Sequence, residues 1–452
     1  MSSHGPSATR GFLAARDLLR ALRDDHEAAT ARFSWPRPEY FNWALDWFDR
    51  IAVDNTRVAL RVPGPASTNS VTYAELSESS NRVANWLRRL GLRRGQRVLL
   101  MPDDQLAFCE VMLAVMKLGA VLVLVRATIT AADLSEAIGR AAPALIIAAG
   151  HATDTLTAAK PRATRVCVGD KVPGWRAYTD AYLERRSFSP DGVTRTDDPL
   201  LIYAASGKAG RVRMVCHTHA HPIGTLPGTY WTGLLPGDVH VAVTDAGSAE
   251  HVWSSFFQPF NAEASVVAVR WTPDAPARSL LDVLGEERVS SLCATPAAWT
   301  SLLREDGRPP TSLRETRSLG TPLARDLADR ARTAWGIDLR NGYGQAETGA
   351  LIGVTAGLAA PRPGAIGKSL PGYSIVLIDP RTAKPSAEGE EGEICVELAH
   401  RPVGLMSGCF GDTESAMASY RGSGFYRTGD LANRDAAGCL TYAGRVADAV
   451  TT

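Results

Sequence analysis

Along the first three-quarters of the chain, apolar positions alternate between a helical period near 3.6 and short unbroken runs. Residues 73–90 carry apolar side chains at helical spacing and stop at Gly91. Residues 98–101 then form a short continuous apolar run, as a buried strand does. The most apolar stretch, VMLAVMKLGAVLVLV at 111–125, is interrupted by Lys117 and Gly119. It reads as a helix, a glycine stop and a strand, and is too short to span a bilayer. Residues 145–150 add another strand. Strands alternating with helices in this way predict βαβ units and a mainly parallel sheet.

A second series of the same kind follows the polar stretch at 187–198. Its strand signals lie at 201–203, 239–245, 265–269, 289–296, 316–320 and 339–348. From about Gly364 the texture changes to short strands punctuated by Gly, Asp and Pro, which predicts a small β-rich unit. Near the start, 35–52 opens with two prolines and then places Phe41, Leu45, Phe48 and Ala52 at helical spacing, which predicts a packed helix. The expected organisation is an N-terminal extension (1–35), a first α/β unit (36–198), a second α/β unit (199–363), a β-barrel unit (364–446) and a short stub (447–452).

Composition narrows the classes. The chain has 452 residues, 45% hydrophobic and 21% charged, as an ordinary globular protein does. A net charge of +1 gives no bulk attraction to nucleic acid or anionic membrane. The seven cysteines include no C-x-x-C pair, which points to a reducing cytoplasm rather than a disulfide framework. The first 25 residues carry no secretory-signal pattern. His217, His219 and His221 alternate along one stretch, but no cysteine or carboxylate cluster completes a metal site beside them.

Candidate chemistry centres on LIYAASGKAGRVRMVCHTHA, residues 201–220. An apolar run leads into Ser206, Gly207 and Gly210 and returns through Arg211 and Arg213. Glycines let backbone N–H groups approach phosphate oxygens. The loop is not a Walker A motif, because no Gly-Lys-Ser/Thr stands at that spacing.

Together with VTYAEL, NGYGQAETG (341–349), GEICVE, FYRTGDLA (425–432) and GRVADAV (444–450), this loop resembles the adenylate-forming enzymes, in family order. PEYFNWALDWFDRIA and RPVGLMSGCFGDTESAM resemble the medium-chain and benzoate-type acyl-CoA synthetases among them. The resemblance implies two α/β subdomains with mainly parallel sheets plus a β-barrel, followed by a small mobile C-terminal domain. It also implies two half-reactions: acyl-AMP formation from ATP, then transfer of the acyl group to CoA. Residue by residue, it implies Asp430 and Arg445 at the ribose. It places Gly342, Tyr343 and Gly344 against adenine and acyl group, with Gly344 shared with the acyl pocket. Ala346 stands where a threonine bonds the α-phosphate, and Glu347 where a carboxylate holds Mg2+.

The departures are specific. Against Tyr-x-Thr-Ser-Gly-Thr-Thr-Gly-x-Pro-Lys-Gly, the loop keeps Ser206, Gly207 and Gly210 as phosphate contacts. It carries Ala205, Lys208 and Ala209 for threonines and Arg213 for the lysine. Loss of two or three charge-assisted hydrogen bonds, each ~1.5–3 kcal/mol, removes efficient triphosphate handling. The adenine-side loop at 316–327 is about three residues short of the family pattern. Ser248 stands where benzoate-type relatives carry tryptophan, which predicts room for a bulky acid walled by Trp253, Phe256 and Phe257. The chain stops at Thr452, shortly after the hinge-like Gly444–Asp448 stretch. The family's C-terminal domain, with its adenylation lysine, is therefore expected outside this stretch, and no catalytic lysine is assigned.

These readings converge on a non-adenylating acyl-CoA ligase. It would take a bulky, apolar, terpenoid-like acyl-adenylate made by a separate adenylating ligase and transfer the acyl group to CoA. ATP use and Mg2+ are doubtful on this reading. An ordinary ATP-dependent synthetase and a pseudoenzyme that binds adenylates or a partner are the alternatives.

Overall fold

The computed structural model describes residues 6–64, 67–159, 161–206, 211–269, 277–304, 307–358, 364–411 and 424–449. Local signals account for most elements. Helix Tyr73–Arg89 starts on a capping box: Glu75 N donates to Thr72 Oγ1 and Thr72 N donates back to the Glu75 carboxylate. Its buried stripe is Tyr73, Leu76, Val83, Ala84 and Leu87. Helix Gln105–Leu118 is capped by Asp104 and ends at Gly119, whose φ of 65° only glycine adopts readily. The strand Val121–Val125 follows, so the most apolar run divides at the predicted glycine.

Among the described residues, eight strands form a first sheet around Val121–Val125 and Arg97–Met101, which are parallel and wholly internal. A second sheet of thirteen strands runs from Thr68–Thr72 at one edge to Ile375–Ile378 at the other. Its first half is mainly parallel, up to Arg340–Gln345. That strand lies parallel to Glu315–Ser318 on one side and antiparallel to Gly349–Gly353 on the other. Beyond it the β-rich region continues the sheet as antiparallel strands. The switch of direction leaves a crevice at the carboxyl end of the parallel strands, where α/β sheets bind ligands.

Strand pairing crosses the predicted unit boundaries. The hairpin Pro199–Ser206 and Val212–Thr218 joins the first sheet, with Leu124 facing Tyr203, although its sequence position suggested the second unit. Strands Val58–Pro63 and Thr68–Thr72 join the second sheet through Ser265–Val267, although they were assigned to the first. Both are corrections with one cause. A strand pairs with whatever edge the chain brings beside it, and sequence distance does not enter.

The N-terminal extension is part of the core. Helix Pro6–Ala21 buries Phe12 completely against Phe41 and Trp47, at 5.6 and 5.5 Å between ring centres. Residues 44–48 form a π-helical turn that continues into Asp49–Ala52, with Phe41, Phe48 and Ala52 buried as predicted and Leu45 half-buried. No helix among the described residues is long and apolar enough to cross a membrane. None of the seven cysteines is in a disulfide.

Burial also sets a pH limit. His217, His240 and His251 are pushed down to about 4, and His219 to about 3, chiefly by loss of water around the ring. These folded values lie below the unfolded value of 6.5, so the unfolded chain takes up protons first. Their contribution to stability is present above pH 6.5 and is lost as pH falls toward 4. Each titrating histidine removes ~1.4 kcal/mol per pH unit. Urea melts at pH 7.5, 6 and 5 are expected to show a midpoint that holds above pH 6.5 and falls steeply below it.

Candidate adenylate site

The strand Phe425–Arg434 carries Asp430, whose cross-strand partner on Leu440–Arg445 is Arg445. The turn before it is held from beneath. Gly429 sits at φ 78°, its N–H donates to Glu393, and Thr428 Oγ1 donates to Ile394 O. Arg427 donates to the same Glu393 carboxylate. The Gly-Glu of GEICVE therefore braces the Thr-Gly-Asp turn.

Asp430 is buried, and its two oxygens are unequally engaged. Oδ2 accepts from Tyr343 Oη at 2.7 Å and from Gln345 Nε2 at 2.8 Å. Oδ1 has only longer contacts, to Arg445 Nε at 3.3 Å and Tyr442 Oη at 3.5 Å. Burial, and then the Asp430 charge, raise the Tyr343 phenol well above its ordinary value, so it stays a donor. Gln345 also accepts from Tyr426 Oη. One side of the carboxylate is fixed and the other faces exchangeable partners, which suits a vicinal diol.

The glycines of the 342–344 stretch are there for closeness. A Cβ at Gly342 would stand 2.4 Å from the Trp231 ring, and one at its cross-strand partner Gly353 2.3 Å. The Trp231 indole lies against both and donates to Asn341 O. At Gly344 a Cβ would meet Gly349 O at 2.2 Å. The result is a cleft of about 950 Å³ walled by Trp231, Gly342–Glu347, Asp430 and Arg445.

A protein-family model described as AMP-binding enzyme matches residues 43–408 of this chain. The chain belongs to the AMP-binding enzyme family. It is 31% identical over 421 residues to 4-hydroxybutyrate–CoA ligase 1 of Metallosphaera sedula, spanning 91% of this chain and 73% of that protein. It is 27% identical over 472 residues to the mitochondrial acyl-coenzyme A synthetase ACSM3 of Mus musculus, spanning 97% and 80%. The solved anthranilate CoA ligase AuaEII in complex with anthranoyl-AMP matches with a TM-score of 0.82 at 22% identity, over 91% of this chain and 78% of that one. That identity speaks for the fold alone.

Within this AMP-binding frame the structure brings together Asp430, Arg445, Gly342, Tyr343, Gly344, Ala346, Glu347 and Trp253 on one cleft. The short adenine-side loop still reaches it through Leu319, Gly320, Thr321 and Pro322. Gln345, Tyr426 and Glu393 were missed as site residues, although all three lie inside quoted motifs. Their roles depend on contacts of 36 to 85 positions' separation, which no local pattern carries.

The phosphate arm is arranged differently from expectation. Gly207 and Gly210 lie outside the described residues. Ser206, the hydroxyl that survives in the loop, donates to Asp133 Oδ2 on helix Ala131–Ala141 and is not on the cleft wall. Val212 N donates to Glu136 of the same helix at 3.1 Å. Ala346 presents only its carbonyl, which meets His217 Nε2 at 2.6 Å.

Glu347, which the resemblance places as a Mg2+ carboxylate, has its Oε1 paired with Arg213 at 2.8 Å, so an ion at that oxygen would compete with the guanidinium. Of the three alternating histidines, His217 contacts Ala346 O and His221 contacts Tyr203 Oη at 3.1 Å, whereas both ring nitrogens of His219 are buried without a hydrogen-bond partner among the described residues.

The acyl wall is corrected in part. Ser248 caps the turn Ala249–Val252 by accepting from His251 N, is buried, and does not line the cleft. Phe256 and Phe257 face away from the cleft, fully buried against Trp43 at 5.5 and 5.3 Å. The π-helical turn 253–257 puts Trp253, Ser254 and Gln258 toward the cleft and Phe256, Phe257 and Phe260 toward the core. A helix has two faces, and the sequence spacing did not say which one met the ligand. Glu250 joins this wall, with Arg126 3.7 Å away.

Proposed function

We propose that this chain is the adenylate-binding part of an acyl-CoA ligase that accepts a pre-formed acyl-adenylate and supports its thioesterification with CoA. On this reading a separate adenylating ligase supplies the adenylate. The single observation that carries it is the state of the phosphate arm. Two donors flanking the loop, Ser206 Oγ and Val212 N–H, are committed to Asp133 and Glu136. A triphosphate cradle needs the Ser206 hydroxyl free and no negative charge beneath it; position 212, a proline in the family pattern, supplies no donor there. An adenylate has no β- or γ-phosphate to place there, and the Asp430 end of the cleft remains assembled for its ribose.

The acid is bulky and terpenoid-like on this reading, because the hydroxyl-poor loop resembles the non-adenylating ligase of platensimycin-type diterpenoid biosynthesis; the cleft of about 950 Å³ would hold nucleotide and acyl group together. Glu250 and Gln258 on the wall add polar contacts beside Trp231 and Trp253. The competing reading, an ordinary ATP-dependent synthetase, is favoured by the names of the relatives. Cleft residues would then serve both half-reactions.

Calorimetric titration separates the two. AMP and a non-hydrolysable acyl-sulfamoyl adenosine are expected to bind, with ATP no tighter than AMP. ATP bound more tightly than AMP, together with pyrophosphate release from ATP plus a carboxylic acid, would establish the ordinary synthetase. The double variant Asp133→Asn/Glu136→Gln removes the charge beneath the arm. It is expected to raise ATP affinity relative to AMP by about tenfold, the effect of ~1.4 kcal/mol.

A further inference from the structure

Arg213 and Glu347 form an ion pair at 2.8 Å on the wall of the cleft. They come from different sheets: Arg213 from strand Val212–Thr218, and Glu347 from the turn after Arg340–Gln345. The Glu347 side chain is 7% exposed, whereas that of Arg213 is 44% exposed. The backbone beneath the carboxylate is fixed from two sides. Ala346 O meets His217 Nε2, and Glu347 O accepts from Met406 N, both at 2.6 Å. The main chain that carries the Glu347 carboxylate is therefore held in place. The guanidinium that this carboxylate holds keeps N–H groups available on a fork of five donors.

We propose that Arg213, oriented by Glu347, is the resident cation of this cleft and makes adenylate binding independent of a divalent metal. A guanidinium carries one fixed positive charge and directional donors, which match the single negative charge on the mixed-anhydride phosphate of an acyl-adenylate. A divalent ion would instead have to displace Arg213 from a buried carboxylate. Only a triphosphate, with several negative charges, requires that exchange. The inference deepens the adenylate-accepting reading and rests on it for the identity of the ligand.

AMP is the probe, titrated into the chain in excess Mg2+ and again in excess EDTA. Wild type is expected to bind with the same Kd in both. Arg213→Ala is expected to lose roughly ten- to a hundredfold in AMP affinity in EDTA, the range for one charge-assisted hydrogen bond. It is also expected to recover part of that loss in Mg2+, because Glu347 is then free to take the ion. Mn2+ electron paramagnetic resonance should show no AMP-dependent bound signal in wild type and a bound signal in Arg213→Ala. Arg213→Lys, which keeps the charge and loses the fork, should fall between the two, with thermal melts checking that each variant folds. A wild-type Kd that weakens on chelation, or an Arg213→Ala variant that binds AMP as wild type does in EDTA, overturns the proposal. Pyrophosphate release from ATP would sink the non-adenylating reading while leaving the metal-independence of AMP binding to be decided by these titrations.

Discussion

Asp430→Ala is expected to lower AMP affinity by roughly a hundred- to a thousandfold, the largest ligand-binding effect of any single change in the cleft. Two charge-assisted hydrogen bonds to a diol are worth ~3–6 kcal/mol together, and each 1.4 kcal/mol is a factor of ten. The low end applies because the ribose must first displace Arg445 and Tyr442, whose contacts to Oδ1 are 3.3 and 3.5 Å. The same change strands the Tyr343 hydroxyl and the Gln345 amide, both of which donate to Oδ2. A modest fall in thermal stability should therefore accompany the loss. Asp430→Asn keeps the shape and half of the acceptor capacity and should fall between wild type and alanine. Calorimetry with AMP measures all three. An alanine variant within threefold of wild type would remove Asp430 from the binding site.

Glu315→Ala is expected to give the largest loss of stability. One buried carboxylate meets four arginines: Arg317 at 2.8 Å, Arg314 at 2.9 Å, and Arg23 and Arg340 at 3.0 Å. Arg317 is 1% exposed, and burial holds its guanidinium down to about 10, with Glu315 the main opposing influence. Deleting the carboxylate leaves Arg317 with only the carbonyl oxygens of Trp231, Thr232 and Thr316. An uncompensated buried charge destabilises by ~3–5 kcal/mol. Glu315→Gln keeps acceptors without charge and should lose less. Removing Arg23, which is 24% exposed, leaves Glu315 three other arginines and should lose less than Glu315→Ala. Urea titration of the three variants checks the ranking, and equal effects for Glu315→Ala and Arg23→Ala would refute it. Arg317 also holds the backbone that carries Trp231, so Glu315→Ala should loosen the cleft floor and weaken AMP binding in parallel.

Both predictions involve residues of different legibility. Asp430 was readable because its motif is local: threonine, glycine and aspartate in sequence form the turn that presents the carboxylate. The helix at 73–89 was readable for the same reason, since its cap uses Thr72 and Glu75, three positions apart. Glu315 was not readable at all. It looked like one more acidic residue near a strand start, and its four partners lie between 1 and 292 positions away. Phe256 and Phe257 show the intermediate case. Their apolar character was plain, but the choice between core and cleft was settled by Trp43, more than two hundred positions earlier.

Sequence alone determined the α/β class, the order of the family motifs, most strand and helix positions, and the loss of hydroxyls from the phosphate loop. These depend on residues a few positions apart, where propensity, capping and turn chemistry act. Tertiary structure alone decided that the hairpin 199–218 closes the first sheet, and that Ser206 and Val212 donate to the carboxylates of helix 131–141. It also decided that Arg213 meets Glu347 across the two sheets. Those contacts follow from which surfaces the folded chain brings within hydrogen-bond reach, a distance of about 3 Å.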